Sequence, residues 1–233
     1  MWLKKTVAVV IPVARNNNSI FSVIQELDAT GYTDEIIVVD IGADEETFKQ
    51  IDKTRARIVK QKIGGVGRAI RTGIKSTKAD LIIISEADGT FKGKDISKLL
   101  SYSEDFDTVF GSRTHIPLAD KGSGMTLLRR LVEDLFAKII CVLFLSSNLT
   151  DVGCTFRLTN HRGWRSVAGE CKRNDEIFFT QWLIAAAKNK VRFIEVPVSY
   201  SASRAVTKKD NFYHLTVRAI AIFYLIFKTW LLL

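Results

Sequence analysis

Three cysteines, three histidines and no twenty-residue apolar stretch leave this 233-residue chain without several common ways of being stapled, metallated or anchored. Cys141, Cys154 and Cys171 have no metal-type spacing and cannot all pair, which reads as reduced thiols in a cytosolic setting. His115, His161 and His214 are scattered and fall in no ligand pattern. A helix that spans a bilayer needs roughly 20 mostly apolar residues. Near the carboxy terminus only Ala219 to Phe227 runs uninterrupted before Lys228. The opening Met1-Trp-Leu-Lys-Lys enters an apolar strand too soon for a signal peptide, so the expected setting is the cytoplasm. No internal repeat, low-complexity tract or linker divides the chain. No DNA- or RNA-reading module appears, and the basic residues are not interleaved with a stacking platform, so nucleic acid is not an expected partner. Glycine is missing from the loop after the first apolar run. In Gly64-Gly65-Val66-Gly67-Arg68-Ala69-Ile70 the third fingerprint position is Ile70, which argues against a dinucleotide site. These glycines suit close approach of backbone amides to a phosphate, or simply the start of the helix carrying Arg68 and Arg71.

What is present is a chain 47% hydrophobic, enough for one compact domain with a real core. Short apolar runs alternate with helix-like segments over the first hundred residues, the pattern of a parallel sheet in an α/β fold. Strands are expected at Thr6 to Val13, Glu35 to Asp40, Ala56 to Lys60, Leu81 to Ser85 and Thr108 to Gly111. Helices are expected around Ile20 to Ala29, Glu45 to Lys53, Val66 to Lys75 and Asp95 to Tyr102. Ligands of open α/β sheets bind outside the carboxyl ends of the strands. Arg15 to Asn18, Asp40, and Glu86 with Asp88 follow the first, second and fourth strands, so they should converge on one crevice.

The stretch Leu81-Ile-Ile-Ile-Ser-Glu86-Ala87-Asp88-Gly89-Thr90-Phe91 carries the most chemistry. Side chains i and i+2 of an extended segment point to one side. Glu86 and Asp88 can therefore offer oxygens to one hard cation, Mg²⁺ or Mn²⁺, of the kind that combines one or two carboxylates with substrate phosphates. Taken alone, the pair favours two acids that cap the loop Gly89 to Gly93 and face water, and its place in the α/β pattern is what shifts the balance to a metal.

The formal charge of +9 is uneven: from Asp151 onward 13 Lys and Arg face 6 Asp and Glu. Such an excess suits an anionic membrane surface. Residues 211–233 read as an amphipathic helix lying at the membrane interface, with Arg218 and Lys228 meeting lipid head groups, or as an oligomer contact using the same apolar face. Residues 1–210 read as the catalytic domain. A second run, Ile139 to Leu145, fits either the same surface or ordinary core packing.

Several short motifs in order resemble family 2 glycosyltransferases of the GT-A fold, within them the dolichol-phosphate mannose synthase-like, polyprenyl-phosphate branch. They are Val9-Val-Ile-Pro12-Val13, Ile36-Ile-Val-Val-Asp40, Gly67-Arg-Ala-Ile-Arg71-Thr-Gly73, Glu86-Ala87-Asp88, Val109-Phe-Gly-Ser-Arg113, Thr150-Asp151-Val-Gly-Cys-Thr-Phe-Arg157 and Ile194-Glu195-Val-Pro197-Val-Ser-Tyr200. The resemblance implies a mostly parallel sheet flanked by helices. It also implies an inverting hexosyltransferase using a UDP- or GDP-sugar, with Mg²⁺ or Mn²⁺ on Asp88 and Glu86. The nucleotide sugar would lie at Pro12, Ala14, Arg15, Asp40, Arg68, Arg71, Ala87 and Asp88, with Asp40 recognising the base. Arg113, with Arg129 or Arg130, would meet the phosphate of a polyprenyl or dolichyl acceptor and, with Asp88, form the catalytic set. Arg204 and Lys208 would belong to a basic loop closing over the site. Arginine suits phosphate through its paired, charge-assisted hydrogen bonds.

The sequence departs from the family where Ala14, Arg15, Asn16 and Asn17 replace tyrosine, asparagine and glutamates, where Ile41 replaces an aspartate, and at Glu86 and Thr90. A phosphate acceptor is already anionic and needs no base, whereas a hydroxyl acceptor would need one, with Asp151, Asp175 or Glu176 as candidates. Gln181 stands where the synthase branch often has glutamate, which favours the phosphate. The alternatives are a family 2 enzyme acting on a saccharide or small-molecule hydroxyl, and a non-catalytic nucleotide-binding or membrane scaffold.

Overall fold

The strands with unbroken apolar sequence are the ones buried on both faces. The computed structural model describes residues 1–14, 18–61, 64–204 and 212–232. In it β1 (Val7–Val13) is buried at every position but Pro12, and it lies between β2 (Glu35–Asp40) and β4 (Leu81–Ile84). β3 (Arg57–Lys60) closes one edge with its outer residues exposed. Beyond β4 come β6 (Arg157–Asn160), β5 (Thr108–Ser112) and β7 (Phe193–Pro197), giving seven strands in the order β3-β2-β1-β4-β6-β5-β7. The first four strands pair in parallel, as do β5 and β7, while β6 runs antiparallel to both of its neighbours. The sheet is thus mostly parallel, as expected from the alternating pattern. The inserted antiparallel β6 has no apolar run to announce it.

Alternation along the strands divides the core. Ala8, Val10, Ile37, Val39, Ile82 and Ile84 face α3 (Val66–Lys75), α5 (Leu127–Phe144), α7 (Phe178–Lys188) and α8 (Phe212–Trp230). Val7, Val9, Ile11, Ile36 and Val38 face α1 (Ile20–Ala29) and α4 (Ile96–Leu100), with α2 (Glu45–Ile51) beside α1. α6 (His161–Val167) follows β6 directly and is capped by Asn160, whose side chain accepts from the Gly163 N–H at 2.8 Å. Asp44 caps α2 and Thr126 caps α5 in the same way, each satisfying one donor that a helix start leaves open. α3 sits tightly on the sheet because residue 73 is glycine: a Cβ there would lie 2.3 Å from Val10 Cγ1. The segment expected as one helix from Asp95 to Tyr102 is a 3-10 turn, Gly93–Asp95, leading into α4.

α8 is not a detached appendage. It packs on α5 and α7 and buries Ile222 and Ile226 in the core that α5 and α7 also line. α5 divides its apolar residues, with Ile140 and Phe144 buried and Leu131, Leu135 and Val142 well exposed. The run Ile139 to Leu145 thus serves core and surface together. Cys141, Cys154 and Cys171 are all free thiols.

Candidate functional site

Parallel pairing brings the ends of β1, β2 and β4 to one edge, with Val13 beside Asp40 and Val10 beside Ile84. Two residues past β4, Glu86 and Asp88 project together. The Thr90 hydroxyl lies 2.9 Å from Glu86 Oε2 and 2.8 Å from Asp88 Oδ1, and the Thr90 N–H donates to the same Asp88 oxygen at 3.1 Å. One hydroxyl proton is shared between two carboxylates. Burial, and next the charge of Asp88, push the Glu86 carboxyl above its ordinary range, against the hydrogen bond from Thr90 and the charge of Arg113. A divalent cation would relieve that repulsion, so this donor set fits Mg²⁺ or Mn²⁺ with substrate phosphates completing the shell. Among the described residues no cluster of three or more His, Cys, Asp and Glu offers a fuller protein cage.

Ala87 turns the other way, into the core, leaving only its backbone to the crevice. Gly89 adopts φ +75°, and the Arg204 side chain lies across it, with Cδ 3.0 Å from where a Cβ would stand. The Arg204 N–H donates to the Asp88 carbonyl at 2.9 Å, and the Ser201 N–H to the Thr90 carbonyl at 2.8 Å. The segment 200–204 therefore runs along the acidic motif and holds a guanidinium over it. Asp40 uses Oδ1 to accept from the Gly42 and Ala43 N–H groups, both at 2.8 Å. Pro12 is half-buried in β1, Ala14 is exposed just after it, and Arg68 is half-buried on the first turn of α3. Arg71 donates to the carbonyls of Cys171 and Arg173 and to the Asn174 side chain, so its guanidinium fastens the 171–174 loop to α3. Arg15 and Lys208, with Asn16 and Asn17, lie outside the described residues.

Arg113 is the buried hub beside this crevice. Its Nε and Nη2 grip Asp151 at 2.8 and 2.7 Å, its backbone N–H donates to Asp151 at 2.9 Å, and its guanidinium lies 5.4 Å from the Tyr200 ring centroid. Burial works to raise the Asp151 carboxyl, but the Arg113 charge and hydrogen bonds overcome it and hold it below the usual range. Asp175 is likewise lowered, first by its hydrogen bonds from Arg173. Glu176 is exposed on the same loop, and Gln181 accepts from the Arg173 N–H at 2.9 Å. Glu195 on β7 ties the hub down, accepting from the Thr150 N–H and hydroxyl and from the Asp151 N–H.

Arg129 lines a groove between α5 and α8, whereas Arg130 faces a separate hollow along residues 116–126. Arg218, expected to meet lipid head groups, instead turns inward: its Nη2 is 3.7 Å from Glu133 Oε1, and its side chain is 22% exposed. The reason is electrostatic, since buried Glu133 on α5 draws it in alongside Arg113. Glu133 did not stand out in sequence, and Thr90 did so only as a departure from the family pattern. An acidic pair, Glu133-Asp134, in the apolar α5 pattern, and a single arginine in that of α8, were the available signals.

The sequence profile described as "Glycosyl transferase family 2" matches residues 9–163. The chain is 22% identical over 189 residues to a dolichyl-phosphate beta-glucosyltransferase of Saccharomyces cerevisiae, covering 71% of this chain and 56% of that protein. It is 26% identical over 212 residues to a dolichyl-phosphate hexose transferase of Haloferax volcanii, covering 88% and 87%. The chain spans about half the length of the Saccharomyces and Dictyostelium discoideum relatives, 56% and 55%. Among solved structures, glucosyl-3-phosphoglycerate synthase from Mycobacterium tuberculosis in complex with Mn²⁺, uridine diphosphate and phosphoglyceric acid superposes with a TM-score of 0.73 at 16% identity, covering 97% of this chain and 79% of that one. That likeness establishes the fold as the GT-A type.

Proposed function

The chain belongs to glycosyl transferase family 2, and from that premise we propose that it moves a hexose from a nucleoside-diphosphate donor to the phosphate of a polyprenyl or dolichyl acceptor, with inversion, at a membrane face. The observation that carries the acceptor class is the state of the candidate bases. Asp151 is clamped by Arg113 and Asp175 by Arg173, both carboxyls lying below their usual range, and Glu176 is exposed on its loop. A hydroxyl nucleophile needs a proton acceptor, and a phosphate monoester does not. The names of the yeast and Haloferax relatives point the same way.

In this reading the donor diphosphate lies over Glu86 and Asp88. These two residues would hold a Mg²⁺ or Mn²⁺, which would neutralise charge on the departing nucleoside diphosphate. Arg204, whose side chain lies over Gly89 beside the two acids, would supply a further cation there. Thr90 keeps the pair aligned. Attack by an acceptor phosphate oxygen forms the new bond to the anomeric carbon as the bond to the diphosphate breaks, and the electron pair leaves with the nucleotide.

The membrane face is formed by α5 and α8. Leu131, Leu135 and Val142 on one helix and Ile220, Phe223 and Tyr224 on the other are exposed, on two helices that pack together. Among the described residues no helix is long and apolar enough to cross a bilayer. Exposed apolar residues on a basic, amphipathic pair fit interfacial binding instead. The test is label transfer from UDP- and GDP-sugars, beginning with UDP-glucose, into polyprenyl phosphate with Mn²⁺ or Mg²⁺. Metal-dependent label in the lipid phase, abolished by Asp88→Asn, is expected. Transfer to a hydroxyl acceptor alone, or turnover indifferent to Asp88, would overturn the reading.

A further inference from the structure

The groove between α5 and α8 has a charged inner end to which the reading above gives no partner. Leu128, Val132, Phe136, Ala219 and Ile222 form apolar walls around a cavity of about 280 Å³, and Arg129, Glu133 and Arg218 share its lining. Arg113 Nη2 and Arg218 Nη2 stand 3.6 and 3.7 Å from the same oxygen, Glu133 Oε1. Both separations exceed a hydrogen bond. The other oxygen, Oε2, is buried with no hydrogen-bond partner among the described residues, and Glu133 itself is 5% exposed.

Gly153 explains how two guanidinium groups come so close. A Cβ on it would meet Arg218 Nη2 at 2.5 Å, Arg113 Nη2 at 3.0 Å and Glu133 Oε1 at 3.0 Å. The missing side chain is the space in which they converge. Asp151 is already committed to Arg113, so among the described residues Glu133 is the acid opposite Arg218; burial, then the charge of Asp151, raise its carboxyl against the charges of Arg113, Arg218 and Arg129. A buried cationic cluster with a loosely held, incompletely bonded counter-ion is costly unless another anion completes it.

We propose that Arg218 is a binding residue for the anionic head of the acceptor, and that Glu133 is the internal counter-ion which that head replaces when the groove fills. The inference rests on the lipid-phosphate reading above and names the residues that would realise it. The occupant is a phosphate monoester on an apolar chain. The chain lies against Val132, Phe136 and Ile222, and the phosphate oxygens take the place of Glu133 Oε1 between the guanidinium groups of Arg113 and Arg218. Charge complementarity selects the head and the apolar walls select the chain. The Arg113 guanidinium lies 5.4 Å from the Tyr200 ring, and Tyr200 opens the segment that hydrogen-bonds along Asp88 and Thr90, so a head group held here lies toward the donor diphosphate site.

The test is equilibrium binding of farnesyl phosphate, farnesol and inorganic phosphate to the full chain, with Mn²⁺ and uridine diphosphate binding as a control on the fold and the donor site. Farnesyl phosphate should bind more tightly than either of the other probes. Arg218→Gln should weaken it about tenfold or more, the scale of one charge-assisted bond, with farnesol unchanged. Arg218→Lys, which keeps charge and stem, should fall between. Glu133→Gln should tighten farnesyl phosphate severalfold, because the competing charge is gone. Wild-type affinity in both Arg218 variants would overturn the inference and leave the lipid-phosphate function standing, and weaker binding in Glu133→Gln would overturn the counter-ion role. If the wild-type protein binds Mn²⁺ and uridine diphosphate but not farnesyl phosphate, the acceptor reading falls and this inference with it. Preference for free phosphate over farnesyl phosphate would overturn the placement of the chain.

Discussion

Arg113→Ala separates a phosphate-binding arginine from one that holds the site together. The substitution removes the two side-chain bonds to Asp151, at 2.8 and 2.7 Å, and leaves that carboxylate, among the described residues, with the backbone N–H groups of Arg113 and Gly153 as donors. It also withdraws the 3.6 Å guanidinium from Glu133, so Asp151 loses its ion-pair partner and Glu133 keeps Arg218 at 3.7 Å. Breaking a buried pair from one side costs about 3–5 kcal/mol, because a charge remains without compensation. For a chain of this length that corresponds to a fall in melting temperature of roughly 6–20 °C. Arg113→Lys keeps the charge but not the planar fork, and should lose less than half as much. Thermal and urea unfolding of the three proteins measures this directly. A melting temperature for Arg113→Ala within a degree or two of wild type would refute the hub assignment, and Arg113 would then be a ligand contact held by little else.

Thr90→Val removes the hydroxyl shared by Glu86 and Asp88 and should weaken Mn²⁺ binding in the presence of uridine diphosphate about ten- to a hundredfold, the range for lost outer partners of metal ligands. Thr90→Ser should restore it, as read by Mn²⁺ electron paramagnetic resonance, and equal affinity in all three proteins would contradict the role. Gly73→Ala places a methyl 2.3 Å from Val10 Cγ1 and 3.2 Å from Val39 Cγ2. Overpacking by about 1–3 kcal/mol should outweigh the gain of about 1 kcal/mol in helix propensity, so denaturant titration should show a net loss. Burial, then the charge of Asp151, pushes Glu195 up to about 8, against hydrogen bonds from Thr150 and Asp151. The unfolded chain releases this proton near about pH 4.3. Between those values the folded protein holds a proton that the unfolded chain has lost, so this contribution lowers stability as pH rises toward 8 and is constant above it. Glu195→Gln should remove that part of the slope, and an unchanged slope would show that Glu195 titrates normally.

The parallel half of the fold was legible because burial on both faces forces unbroken apolar runs. The boundaries of β2, α1 and α3 coincide with those read from Glu35 to Asp40, Ile20 to Ala29 and Val66 to Lys75. β6 was not legible. Its buried residues include Arg157, which sits about 5 Å from the ring centroids of Phe110, Phe179 and Trp182, and Thr159, so no apolar run marks it. At the site, Glu86 and Asp88 were legible because an i, i+2 spacing has one geometric meaning on an extended segment. The inward turn of Arg218 was not legible because periodicity locates a helix but does not say which way a single cation turns. That direction is set by Glu133, 85 residues earlier on another helix, and long-range electrostatics of this kind leaves no local trace.

Phosphorus nuclear magnetic resonance on a mixture of nucleotide sugar, Mn²⁺ and a short polyprenyl phosphate tests the central claim most directly. The account predicts that the acceptor monoester signal is replaced by that of a glycosyl phosphodiester while nucleoside diphosphate accumulates, that the new linkage is inverted relative to the donor, and that a chelator or Asp88→Asn stops both changes. An unaltered monoester signal alongside released nucleotide would contradict it.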